Sequence, residues 1–232
     1  MPHSYKHILF DLDHTLWDFE KNATEALGEL YATYELESQG TFSLEEFCDT
    51  FHKVNYHLWH LHQTGDYDQA RLRAERFKMI FSDLGMSEAK MPLQIADAYL
   101  KLCPSKPHVF PYTYDILAYL QDRYELHIVT NGFADVQGVK LKSAGLSDYF
   151  KHIVTSDHAG FRKPDPGIFS YILELIEARP TDCIMIGDNL DTDIAGAQGA
   201  GIDCIYFNPQ KNHHEALTNY EISCLSELRG IL

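Results

Sequence analysis

The sequence predicts an α/β protein: a Rossmann-like parallel sheet core with an inserted α-helical bundle. Three observations predict it. A continuous apolar run, Ile8, Leu9 and Phe10, leads straight into Asp11 and Asp13 and reads as a buried parallel strand. From Phe19 to about Ser105 the apolar spacing is helical, with no convincing strand. From Tyr112 onward, short apolar runs alternate with amphipathic stretches, as βα repeats do.

The first strand ends at acids, and the carboxyl ends of strands are where open α/β sheets bind ligands. Beyond it, Ala23, Ala26, Leu27 and Leu30 make one helical stripe. Ser43, Leu44, Glu45 and Glu46 form a capping-box start, with Phe47, Phe51, Val54 and Leu58 behind it. A third helix is predicted over 68–84, ending at Gly85. A fourth is predicted over 91–100, stopping before Cys103 and Pro104. Four helices with short joins make a small bundle. The insertion is therefore placed at 17–104, and the core at 1–16 with 105–232. In the core the expected order is helix 114–122, strand 126–129, helix 136–144, strand 152–155, a loop over 158–166 and helix 167–178. Strand 183–186, small-residue helix 194–200, strand 204–207 and a last short strand near 222–225 complete it.

The chain has 232 residues, 45% of them hydrophobic, enough for a full core with an inserted domain. A net charge of −15 argues against binding a nucleic-acid polymer or an anionic membrane through a basic surface. It leaves room for a small anionic metabolite held by local cations. Five scattered cysteines without a C-x-x-C pair suggest reduced thiols and a cytoplasmic location. The first strand begins within a few residues of the start, which leaves no room for a signal peptide, and no apolar run is long enough to span a membrane.

The predicted strand tips collect the chemistry: Asp11 and Asp13, then Thr130, Asn131 and Gly132, then Asp188 with Asp193 after it, and Lys163 from a loop. Two ionised carboxylates about 4 Å apart repel by roughly 4 kcal/mol at an effective dielectric of about 20. Four acids around one point therefore call for a cation, and an all-oxygen donor set favours Mg²⁺ over zinc. Lys163 and the cation would attract a phosphate, and Thr130 and nearby amides would donate hydrogen bonds to it. Asp11 is a candidate nucleophile, and Asp13 a candidate proton donor to the leaving oxygen. Asp193 could also cap the helix at Ile194. His57, His60 and His62 lie together on a predicted helix; the first two could share a face, but no third ligand is evident. Arg71, Arg73 and Arg76 with Glu75 read as a charged helix face.

Asp11-Leu12-Asp13-His14-Thr15, Val129-Thr130-Asn131-Gly132, Arg162-Lys163-Pro164-Asp165-Pro166 and Gly187-Asp188 with Asp193 resemble the four motifs of the haloacid dehalogenase superfamily of phosphohydrolases, in order. The resemblance implies a phospho-aspartyl intermediate on Asp11, and Asp13 as general acid and then general base. It implies phosphate binding at Thr130, Asn131, Gly132 and Lys163. It implies Mg²⁺ held by Asp11, the main-chain carbonyl of Asp13 and Asp188, with Asp193 acting directly or through water. The insertion matches the family's type-one cap, which implies closure over the sheet edge with hinges near 16–19 and 101–107. His14 departs from the Gly or Asp often found at its position. The stretch from Leu12 to Phe19 is similar to nucleotide 5′-monophosphatases acting on pyrimidine nucleotides. The same scaffold also carries 2-haloacid dehalogenases and sugar-phosphate mutases, and a non-catalytic binding protein could keep the fold.

Overall fold

Short strands that are apolar on both faces need cover on both sides, and the chain supplies it. The structure is a computed structural model that describes residues 5–39 and 42–232. Its strands are β1 His7–Phe10, β2 Glu125–Thr130, β3 His152–Thr155, β4 Cys183–Gly187, β5 Asp203–Phe207 and β6 Tyr220–Ile222. All pair in parallel, in the order β3-β2-β1-β4-β5-β6. The winding reverses between β1 and β4, and the crevice at their C-terminal ends is where doubly wound sheets bind ligands. Leu9, Val129, Val154, Met185 and Cys204 lie buried in one core cluster with Ile168, Phe169 and Ile172.

The chain divides into two compact units. One runs to Phe19 and resumes over Pro107–Leu232; the other is Glu20–Lys106. The second is helical: α1 Phe19–Thr33, α2 Leu36–Gln39, α3 Leu44–Thr64, α4 Gln69–Asp83 and α5 Ile95–Leu102. The short α2 is additional to the four helices expected. The last helix starts later than 91 because Pro92 holds the preceding Met91 extended, with ψ 132°. The capping box at α3 forms: Ser43 Oγ accepts from Glu46 N at 3.2 Å, and Glu46 Oε2 accepts from Ser43 N at 2.7 Å. Aromatic rings fill this unit, Phe47 stacking on Phe81 and Phe51 packing on Tyr99.

One expectation for this unit changes. Arg76 is not on a charged face: it is buried, its guanidinium lying between Phe51 and Tyr99 at 6.0 and 5.5 Å from the ring centroids. His57 and His60 are exposed, whereas His62 turns inward with Nδ1 2.8 Å from the carbonyl of Tyr67. Among the described residues these three histidines form no metal-ligating group.

In the sheet unit the helices are α6 Thr113–Gln121, α7 Ala134–Ser143, α8 Ser156–Ala159, α9 Pro166–Leu175 and α10 Ala195–Gly199. The loop expected over 158–166 begins inside α8. Helix α9 ends before Ala178 because Glu177 takes a left-handed conformation, φ 52°. The segments at either end of the insertion meet as an antiparallel bridge, Trp17 with Val109. Among the described residues no helix is long and apolar enough to cross a membrane.

Candidate active site

Asp11 N donates to Ile186 O at 2.9 Å, so the pairing of β1 with β4 runs one residue past the strand and carries Asp11 to the reversal point. Lys163 arrives from the loop before α9, buried. Its Nζ donates to Asp11 Oδ1 at 2.5 Å and Val129 O at 2.7 Å, and lies 2.6 Å from Asp193 Oδ1. Asp188 follows β4 directly, and its Oδ1 accepts from Thr15 Oγ1 at 3.1 Å. Asp193 folds back over the end of β4, and its Oδ2 accepts from Asn189 N at 3.1 Å. That approach requires glycine at 187, where a Cβ would stand 2.3 Å from Asp193 Oδ2. The alternative role weighed for Asp193, a cap at Ile194, is not taken: the helical turn starts earlier, at Leu190, and is capped by Asn189, whose Oδ1 accepts from Asp191 N and Thr192 N.

Oxygens of Asp11, Asp188 and Asp193 all lie within 4.8 Å of one another. Three carboxylates against the one ammonium of Lys163 leave a formal surplus of two negative charges. Burial pushes the Asp11 carboxyl well up; Lys163 opposes this, and Asp193 and Asp188 add to it. Asp188 is pushed up to about 7 by burial and by Asp193. Burial pulls Lys163 down, but Asp11 and Asp193 outweigh it and hold the ammonium charged. Asp193 Oδ1 is buried with Lys163 Nζ as its ion-pair partner. Oxygen donors and a formal surplus of two charges fit a divalent cation, and the hard donor set fits Mg²⁺.

The carboxylate of Asp13 is not in that trio. Lys140 Nζ, buried on α7, donates to Asp13 Oδ1 at 2.5 Å, and Gln137 Nε2 donates to Oδ2 at 3.2 Å. The Lys140 ammonium also lies 4.5 Å from the ring centroid of the fully buried Trp17. Gly132 makes this possible, because a Cβ there would sit 1.6 Å from Gln137 Nε2. Gln137 and Lys140 escaped the sequence reading; their only signal was a spacing of three on the helix just after the Thr-Asn-Gly tip.

Thr130 is buried at the tip of β2, and its Oγ1 accepts from Gly132 N at 3.0 Å. The Asn131 side chain closes a two-bond clip on the Lys163 main chain: Nδ2 donates to Lys163 O at 2.9 Å, and Oδ1 accepts from Lys163 N at 2.8 Å. His14 sits in the turn after β1 with φ 64°, which accounts for the small or turn-forming residues often found at that position.

Fold and site together define a doubly wound α/β hydrolase. The chain belongs to the haloacid dehalogenase-like hydrolase family, whose model matches residues 5–201. It is 32% identical to the pyrimidine 5′-nucleotidase PynA of Streptococcus pneumoniae over 232 residues, 98% of this chain and 95% of that one. It is 30% identical to the pyrimidine 5′-nucleotidase YjjG of Escherichia coli over 230 residues, 97% of this chain and 96% of that one. The crystal structure of the HAD-hydrolase YfnB of Bacillus subtilis, bound to magnesium, superposes with a TM-score of 0.85 at 29% identity, covering 98% of each chain.

Proposed function

We propose that the protein is a Mg²⁺-dependent phosphomonoesterase working through a phospho-aspartyl intermediate, with a pyrimidine nucleoside 5′-monophosphate as substrate. The single observation that carries this reading is the buried set of Asp11, Asp188, Asp193 and Lys163, with its surplus of two negative charges, at the sheet's reversal point. Mg²⁺ held by Asp11, Asp188, Asp193 and the main-chain carbonyl of Asp13 would neutralise that surplus and let a phosphate dianion approach Asp11. Lys163 fixes the Asp11 carboxylate in place for attack. A carboxylate oxygen of Asp11 bonds to phosphorus as the phosphorus–oxygen bond to the leaving group breaks, and Asp13 gives its proton to the departing oxygen. Lys140 and Gln137 stabilise the carboxylate this leaves on Asp13. Asp13 then takes a proton from the water that attacks the phospho-aspartate, releasing phosphate and restoring Asp11. Thr130, Gly132 and the main chain at Asn131 receive the phosphoryl oxygens, while the Asn131 side chain positions Lys163.

The nucleotide reading rests on the likeness to PynA and YjjG across nearly the whole chain. Choice of leaving group is assigned to the helical unit, Glu20–Lys106. Five free thiols suit a reducing cytoplasm. A 2-haloacid dehalogenase needs neither a leaving-group acid nor a metal, so it gives Asp13 and the Asp188–Asp193 pair no task. The test is phosphate release from a panel of pyrimidine and purine 5′-monophosphates, sugar phosphates and phosphoglycolate, with and without Mg²⁺. Metal-dependent release that is fastest on pyrimidine 5′-monophosphates supports the reading. Metal-free turnover, or halide release from a chloro-acid without phosphatase activity, contradicts it.

A further inference from the structure

The opposite end of the sheet carries a second cluster of ligating groups. His7 opens β1 and Glu125 opens β2, and the two are paired in register. His127 lies two residues along β2 on the same face, and His152, its partner in β3, stacks on it with ring centroids 5.4 Å apart. His7 Nδ1 is 3.2 Å from His127 Nε2 and 3.7 Å from Glu125 Oε2. One ligand atom from each of His7, Glu125 and His127 falls within 4.8 Å of the others. Asp11 lies four positions after His7, about 13 Å along a strand.

We propose that His7, His127 and Glu125 form a transition-metal site, with Zn²⁺ as the ion, clipping β1 to β2 at the sheet end remote from the acid trio. Zinc bonds of about 2.0–2.2 Å in a tetrahedron place neighbouring donors about 3.3–3.6 Å apart, and the distances from His7 Nδ1 to its two partners are of that size. Two imidazoles and one carboxylate suit zinc, not magnesium. His127 is fully buried and its Nδ1 has no hydrogen-bond partner, so that ring's polar recognition falls to Nε2, the atom facing His7. The Glu125 side chain is half exposed, which gives an ion access and leaves a fourth position to water. The other Glu125 oxygen, Oε1, is held by Lys151 at 3.3 Å, which orients the carboxylate.

The test uses the full chain in excess Mg²⁺, which occupies the oxygen-donor site and leaves the nitrogen site free. Co²⁺ serves as the spectroscopic probe. One equivalent is expected to give the visible absorption of a four- or five-coordinate nitrogen–oxygen site, and Zn²⁺ is expected to displace it. His7→Gln and Glu125→Gln, both at side chains with solvent access, are each expected to weaken Co²⁺ binding by about 100-fold or more, while a His57→Gln, His60→Gln double variant binds as the parent does. Absence of the band, unchanged affinity in both single variants, or loss of binding in the double variant would overturn the proposal.

Discussion

Lys163 is buried and within 2.6 Å of two carboxylates, so neither Asp11 nor Asp193 can move without leaving a buried charge unpaired. Asp11→Asn keeps the shape and removes the nucleophile. Turnover is expected to fall by about 1,000-fold or more while the circular dichroism spectrum is unchanged. Gln137→Leu tests the contact to Asp13 directly. It removes the donor to Asp13 Oδ2 and is expected to lower kcat by about tenfold with little change in KM, as steady-state kinetics would show. At this scale Asp11, Asp13 and Asp188 were legible because charged groups at the ends of apolar runs have no role in a sheet core, whereas Lys163, in a loop, was legible only through its Arg-Lys-Pro-Asp-Pro motif. Gln137 and Lys140 were not, because a lysine on a helix is ordinarily solvated and only tertiary burial reveals the exception.

At the scale of the element, strand positions read well except the last, expected near 222–225 but formed by Tyr220–Ile222 with Leu225 opening a short helix, and helix ends read less well. β3 fell on its expected residues, where the β-branched Ile153, Val154 and Thr155 favour an extended chain. Helix α9 stops early because Glu177 adopts a left-handed conformation where glycine is usual. No hydrophobic pattern encodes that. Glu177→Gly is expected to stabilise the fold by about 0.5 kcal/mol, the relief of left-handed strain exceeding the added chain entropy, as chemical denaturation would measure. In β2, burial with His7 and His152 nearby pushes His127 down to about 4. The folded protein keeps this ring neutral while the unfolded chain takes up a proton below about 6.5. Stability is therefore expected to fall as pH drops from about 6.5 toward 4, and to fall less in His127→Leu, as urea midpoints at several pH values would show.

For the whole molecule, the number and parallel sense of the strands followed from the alternation of elements, but their spatial order did not. That order depends on which strand pairs with which. It is what brings Asp11 beside Asp188, since β1 and β4 are distant in sequence and adjacent in the sheet. The shared acid site also has a collective consequence. With Asp188 pushed up to about 7, bound Mg²⁺ must displace a proton below that pH. Mg²⁺ affinity is expected to rise about tenfold per unit below pH 6, about fivefold from pH 6 to 7, and then to level off, as calorimetric titration would show. Acid-quenching the enzyme during turnover of a ³²P-labelled 5′-monophosphate shows whether Asp11 takes the phosphoryl group. A hydroxylamine-sensitive label is expected on the peptide carrying Asp11, formed only with Mg²⁺ and absent from Asp11→Asn. Phosphate release without that label at any quench time, or a label that persists in Asp11→Asn, would contradict it.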